Sequence, residues 1–516
     1  MNQYRYENDW RAYSFPQPEA EFASSEEVCE KFSQTILGTG EMAASGLPLC
    51  VKDQIITVNN ETENALIFGG TGSKKTRCTI MPLVANLACA GESIVLTDVK
   101  GELATNPKIR GLLDDQGYQT VFLDFRNFAG DSYNILELPY AQYCRGNTDK
   151  AMEEITRIVK ALNTAYQGTK ADPFWTQSSE LHSTSLFNIL LEVCSSKRGY
   201  DQFFNMLSMC SFANQEGTNT LIKIMNSYFP LAVSNPCMMN LRGILSSADN
   251  TLRSIVVSTL ATLNPFLIQP SLTRMLSSST FDAASLYEKK TAVFFIIPDE
   301  CSAYDEIAGL LIDNLYNQLI DVYTRNYQNH AGGAPRRVAF VLDEFCNVRI
   351  NDMSNKISAC RSRFIRMYLV CQSLKQLRTS YPNSADTILG NCQNILFMSS
   401  SDPTLMDYIC ELAGTTTISD FGTKEPLVNH GMLKRLRKTW EYKEALYIRE
   451  DVVFRTRLPD IDQYSYLDRY ASDEPAEIPG KSLKEVKAYT PGMFLYDLEK
   501  KRIPLPFSGA ERVRRS

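Results

Sequence analysis

The sequence predicts an α/β protein: a parallel or mixed β-sheet covered by helices on both faces, with an all-helical segment inserted into it. Three observations carry this reading. Short apolar runs that end in glycines, carboxylates or an amide alternate with helical stretches along residues 51–145, and runs of the same kind return along 279–470. A strand buried on both faces reads as such a continuous apolar run, and strands alternating with helices pair in parallel through crossovers. Between these two parts, residues 146–278 carry apolar side chains at helical spacing and few β-branched alternating runs. At 516 residues the chain exceeds one ordinary domain.

Taken in order, residues 1–50 are weakly patterned and read as an N-terminal arm. The first part of the α/β unit, 51–145, holds three strands: ENALIFGG, ending in glycines, then ESIVLTDVKGEL, then YQTVFLDFRN. The all-α insertion, 146–278, includes the amphipathic stretches AMEEITRIVKALNTAY and SSELHSTSLFNILLEVC. Strands resume in 279–470 with TAVFFIIPDE, RRVAFVLDEF, RMYLVCQS and NILFMSS. The tail, 471–516, opens with ASDEPAEIPGKSLKEVK and reads as a surface extension. No internal repeat is present.

Composition narrows the class. With 44% hydrophobic and 22% charged residues, sizeable cores can form. A net charge of −6 argues against a globally basic nucleic-acid binder, while leaving room for a local basic channel. The 14 cysteines include no CxxC pair and there are three histidines, so zinc-site spacing is absent and reduced thiols in a cytosolic protein are expected. The first residues, MNQYRYENDWRAYSFPQPEAEF, lack the basic start and apolar core of a signal peptide. No run of about 18 apolar residues occurs, so no membrane span is expected.

The chemistry sits at strand ends. Gly69-Gly70-Thr71-Gly72-Ser73-Lys74-Lys75-Thr76 lies between a strand and a helix. Small residues there let successive backbone N–H groups wrap phosphates, the lysine reaches the β/γ-phosphates, and the hydroxyl holds Mg²⁺. Lys75 and Thr76 fill the last two roles. Lys74 stands where this loop carries glycine; a lysine there is expected to be strained by about 1 kcal/mol or more and to weaken the site. Shifting the frame by one residue is worse, because Lys75 would then occupy the position of the Mg²⁺ hydroxyl. The strand Val338-Ala339-Phe340-Val341-Leu342 ends in Asp343-Glu344, a pair suited to hold Mg²⁺ through water (Asp343) and to act as general base (Glu344). The next strand, Tyr368-Leu369-Val370-Cys371, ends in Gln372, an amide able to sense the γ-phosphate or to sit satisfied in a turn. Arg361 precedes that strand. Asp98 ends the strand after the loop's helix, as a metal second-sphere candidate or as a turn-capping residue. The basic run Lys434-Arg435-Leu436-Arg437-Lys438 reads as a phosphate contact or as a solvated helical face.

Together these segments resemble the type IV secretion coupling proteins, conjugative DNA-transfer ATPases with a RecA-like motor. The resemblance runs from about residue 60 to about 415 and rests on IFGGTGSKKTR, SIVLTDVKGEL, Asp172-Pro173-Phe174-Trp175, SSADNTLRSIVVSTLATLNPF, VAFVLDEFCNV, ISACRSRFIRMYLVCQSLKQL and SADTILGNCQNILFMSSSD. It implies a RecA-like P-loop nucleoside triphosphatase with an inserted all-α domain, binding ATP and Mg²⁺. It implies a hexameric ring that drives DNA, expected to be single-stranded and carrying its relaxase, to a secretion channel at the inner membrane. It places Arg361 at the family's trans-acting arginine and Gln372 at its phosphate sensor. The family usually begins with transmembrane helices, and this chain shows none, so a cytoplasmic protein tethered peripherally through partners is expected. Lys74 also keeps a rival reading open: a non-hydrolysing P-loop adaptor that recruits relaxase or effector.

Overall fold

The computed structural model describes residues 20–38, 44–167, 172–229, 236–300, 303–328, 333–417, 424–450, 452–481 and 485–504. Parts of the expected arm (1–19 and 39–43) and of the tail (482–484 and 505–516) lie outside them.

The described strands follow one another as β1 Ser33–Ile36, β2 Leu47–Lys52, β3 Ile55–Asn59, β4 Ala65–Gly69, β5 Ser93–Asp98, β6 Gln119–Asp124, β7 Thr291–Ile296, β8 Val338–Leu342, β9 Ile365–Cys371 and β10 Asn394–Ser399. They continue with β11 Thr415–Thr417, β12 Lys424–Pro426, β13 Tyr442–Arg449 and β14 Val452–Pro459. Nine of them form one mixed sheet in the order β14-β13-β10-β4-β9-β8-β5-β7-β6. From β10 to β6 every pairing is parallel. The hairpin β13–β14 adds the antiparallel edge.

Burial explains why these runs are apolar throughout. Along β4, Leu66 and Phe68 enter one core while Ala65 and Ile67 enter the other. Along β5, Val95 faces the first core, and Ile94 and Leu96 the second. The period-two alternation thus sends successive side chains into two different hydrophobic layers, one on each face of the sheet. The helices Thr148–Gln167, Pro173–Ser195 and Asp249–Ile268 follow β6 before β7 resumes the sheet. Their core residues Ile155, Leu186 and Leu263 belong to the same cluster as Leu66 and Phe68, so the helical segment is packed onto one sheet face.

Two segments differ from the sequence reading. Residues 20–50 are not a bare arm. They contribute the helix Ser25–Lys31, capped by Ser24 and Glu27, and strands β1 and β2, which flank β3 in a separate antiparallel sheet. Val28, Leu47 and Leu49 are buried against the second core. The tail is not a free surface extension either. Arg110 donates to the Glu477 carbonyl, Lys481 pairs with Asp131, and Asn205 donates to the Lys487 carbonyl. Tyr489 is fully buried among Tyr200, Phe203 and Phe212, ahead of a helix at Pro491–Glu499. Aromatic anchors spaced along a polar stretch carry no helical or strand period, which is why the docking was not legible. Among the described residues no helix is long and apolar enough to cross a membrane.

Candidate functional site

The parallel strands β4, β5, β8 and β9 point their carboxyl ends to one edge of the sheet, where open α/β sheets take their ligands. A cleft of about 450 Å³ opens there, lined by Gly70–Arg77, Asp98–Lys100, Glu102, Asp299, Asp343, Glu344, Asn347 and Gln372.

Its floor is the glycine loop after β4. Gly70 N–H donates to the Ser399 carbonyl of β10 (2.9 Å) and Ser73 N–H to the Gly70 carbonyl (3.1 Å), which turns the loop back on itself. Gly69 is needed for close approach: a Cβ there would lie 2.6 Å from both Lys75 Cγ and Ser73 Oγ. Gly72 takes φ +70° with open space where a Cβ would be, so its glycine serves the backbone turn. The helix that follows starts with a wide turn at Thr76–Ile80 and continues as Met81–Cys89.

Four predicted side chains converge over this floor. The buried Lys75 ammonium donates to the Gly69 carbonyl (2.8 Å) and to Glu344 Oε1 (3.1 Å). Gln372 Nε2 donates to Glu344 Oε2 (2.7 Å). Asp343 Oδ1 accepts the Glu344 N–H (2.9 Å), and the Asp343 carbonyl is held by Thr97 Oγ1 (2.7 Å). Burial pushes the Asp343 carboxyl up to about 7, with the neighbouring Glu344 charge adding to the shift and Lys75 opposing it. Burial likewise raises Asp98 to about 6, against the hydrogen bond from the Ala104 N–H. Asp98 therefore caps its turn and also lines the cleft. Glu344 holds φ +49°, a left-handed conformation that costs a non-glycine residue about 1–2 kcal/mol. Strain of this kind persists where surrounding contacts over-determine it and is concentrated at functional sites.

Lys74 resolves into two parts. Its backbone takes φ +65°, the conformation glycine would supply, so the expected strain is present. Its ammonium does not enter the cleft floor. It donates to Asp460 Oδ2 (2.8 Å) and to the Trp440 carbonyl (2.9 Å). Burial raises the Asp460 carboxyl's pKa, but hydrogen bonds from Arg77 and Lys74 outweigh this and leave it below the ordinary carboxylate value. The loop backbone thus keeps the shape a glycine would give it, and the lysine side chain ties that shape to the end of β14.

The basic run is not a helical face. The helix there ends at Lys434, and Lys438 Nζ donates to the Gly72 carbonyl (2.9 Å), which brings the run against the glycine loop. Arg361 is absent from the cleft. It is exposed in the turn Cys360–Arg363 that enters β9, whereas Gln372 follows the exit of that strand. At about 3.3 Å per residue the intervening strand separates the two by over 20 Å. Sequence reasoning gave no role to Asp460, Arg77 and Asn347: Arg77 and Asn347 lie inside the quoted blocks at positions without a signature role, and Asp460 meets the loop from 386 positions away.

The cleft passes one test for its expected occupants. Ser73 Oγ is buried in the loop without a hydrogen-bond partner, a vacant polar group where an anion's oxygens are expected. A hydroxyl at Thr76 and a carboxylate at Asp343 are the oxygen donors that suit Mg²⁺.

A glycine loop joining a central parallel strand to a helix, facing an acidic strand end, defines the P-loop nucleoside triphosphatase class. Within it, the chain belongs to the type IV secretory system conjugative DNA transfer family, whose sequence profile matches residues 30–459. Similar solved structures include the bacterial conjugative coupling protein TrwBdeltaN70 in a trigonal form with sulphate. It is 13% identical, with 89% of this chain and 97% of that chain covered and a TM-score of 0.61. The plasmid coupling protein TrwB with ADP and Mg²⁺ is 13% identical, with 90% and 95% covered and a TM-score of 0.58. TrwB with the ATP analogue ADPNP is 13% identical, with 92% and 96% covered and a TM-score of 0.57. At these identities the likeness is one of fold. Among curated proteins no sequence matches this chain.

Proposed function

We propose that this chain is an ATP-driven coupling protein that delivers DNA, with its attached relaxase, to a type IV secretion channel. The observation that carries the proposal is the convergence of Lys75, Asp343, Glu344 and Gln372 over a buried glycine loop, in a chain of the conjugative DNA transfer family.

In this reading Gly69–Thr76 wrap the triphosphate through backbone N–H groups. Lys75 leaves its resting pair with Glu344 to neutralise charge on the γ-phosphate, and release of that pair frees the carboxylate. Glu344 then accepts a proton from the attacking water, oriented by Gln372. Thr76 and Asp343 are the residues that would hold Mg²⁺, which would supply charge neutralisation at the phosphates. Asp98 lies within the same acidic wall as an outer partner. Arg361, exposed at the opposite end of β9, serves a neighbouring subunit's cleft in a hexameric ring, where a trans-acting arginine is worth about 10³-fold or more in rate. The alternative, a non-hydrolysing adaptor, draws its support from Lys74: the left-handed Lys74 backbone keeps that reading open, while its ammonium on Asp460 leaves the phosphate loop free of a second lysine.

The test is phosphate release from MgATP by purified protein with and without single-stranded DNA. Turnover that rises with DNA supports the motor. Tight nucleotide binding with no turnover in either condition supports the adaptor.

A further inference from the structure

The cleft has a rim that no motif describes. Residues 438–442 form a tight turn: Thr439 N–H donates to the Tyr442 carbonyl (2.9 Å) and Tyr442 N–H returns to Thr439 Oγ1 (3.1 Å). Two lysines clamp this turn to the glycine loop, one from each side. Lys438 of the turn reaches the Gly72 carbonyl, and Lys74 of the loop reaches the Trp440 carbonyl, each at 2.9 Å. A third bond, from Asp460 N–H to the Glu441 carbonyl (2.7 Å), anchors the turn to the end of β14.

The clamped turn presents one side chain to solvent. Trp440 is 75% exposed, more than any other large hydrophobic side chain described. The Trp440 carbonyl is fixed to the phosphate loop, and its indole, next to the lining of the cleft rather than within it, is open to a stacking ligand. The cleft itself contains no aromatic side chain among its lining residues. Beside it, Arg77 extends from the first turn after the loop, and its guanidinium is fixed by Asp460 and Asp462. The loop and the acidic wall accommodate phosphates and metal, and none of the residues lining them offers an aromatic face to a base.

We propose that Trp440 is the nucleobase platform of this site: the base of a bound purine nucleoside triphosphate stacks on the indole, with Arg77 beside the sugar. The proposal rests on the nucleotide-binding reading above and extends it to the sugar and base. A ring face rewards stacked area and does not read hydrogen-bonding edges, so purine triphosphates bind more tightly than pyrimidine ones, and ATP and GTP bind alike. The lysine at position 74 then has a role that glycine could not fill, because its side chain fixes the platform to the phosphate loop.

The test compares Mg-tripolyphosphate, which has the phosphates but no base, with MgATP by calorimetry on the full chain. For Trp440→Ala the expected result is a roughly tenfold or greater loss of MgATP affinity, within the range for base–aromatic stacking, with tripolyphosphate affinity unchanged. Trp440→Phe should recover most of the loss. Trp440 is one of three tryptophans, so MgATP should quench the parent's fluorescence and the quench should vanish in Trp440→Phe; tripolyphosphate should produce none. Unchanged MgATP affinity in Trp440→Ala, or an equal loss for both ligands, overturns the proposal. So does a loss of single-stranded DNA binding with MgATP affinity intact, which would give the indole to DNA. If the parent binds neither ligand, the phosphate site itself is wrong and the platform falls with it.

Discussion

Replacing Lys74 separates its two effects. Its left-handed backbone costs about 1–2 kcal/mol relative to glycine. Its ammonium pairs with Asp460, where the lysine side chain is 21% exposed and the carboxylate 3%. A partly screened pair of this kind is worth up to about 1 kcal/mol, and Asp460 keeps Arg77 when the lysine is removed. Lys74→Gly gains the first quantity and loses the second, so its stability should lie between the parent's and about 2 kcal/mol above it. Lys74→Met loses the pair and keeps the strain, so it should be destabilised by about 1 kcal/mol. The glycine variant should therefore exceed the methionine variant by about 1–2 kcal/mol, read as a shift in the urea midpoint at constant slope. Tripolyphosphate affinity should change less than threefold in both, since the backbone donors stay in place. A glycine variant less stable than the methionine variant would refute the strain. A tenfold loss of tripolyphosphate affinity in both would place the Lys74 ammonium on the phosphates.

Two further outcomes follow from the site. Asp343 has a folded-state pKa raised to about 7, so between its ordinary value and that one the folded state binds more protons than the unfolded one. Stability is then lost as pH rises through this window. Asp343→Asn should raise the melting temperature of the metal-free protein by several degrees at pH 8 and far less at pH 4; an equal rise at both would contradict the assignment. For Arg361, Arg361→Ala and Lys75→Ala proteins should each be inactive alone and regain activity when mixed, because mixed rings contain some complete interfaces. No recovery in verified mixed rings rules out a trans-acting arginine.

The parts of this protein that were legible in the sequence are those whose physics is local. β4, β5, β8 and β9 are continuous apolar runs because both of their faces are covered, and Lys75, Asp343, Glu344 and Gln372 sit at their ends. The hairpin β13–β14 went unread because the alternation of buried and exposed positions over Phe454-Arg455-Thr456-Arg457-Leu458 places a polar Thr456 on the buried side, and only one edge of the hairpin pairs with the parallel sheet. The small sheet β1–β3 was missed because its strands are short and β1 is half-exposed. Tertiary placement was the least legible. Nothing local brings Asp460 to Lys74, Lys438 to Gly72 or Tyr489 into the helical core, because each contact joins residues remote in sequence and depends on the completed sheet.

The central claim is that the cleft hydrolyses ATP through Lys75 and Glu344. Phosphate release measured side by side for the parent, Lys75→Ala and Glu344→Gln proteins, with single-stranded DNA present, tests it most directly. The parent should turn over ATP. Glu344→Gln should bind MgATP as the parent does yet release phosphate at least about 10²-fold more slowly, since an amide cannot accept the proton from water. Lys75→Ala should lose turnover while its thermal unfolding stays close to the parent's. Undiminished phosphate release by both variants would contradict the account.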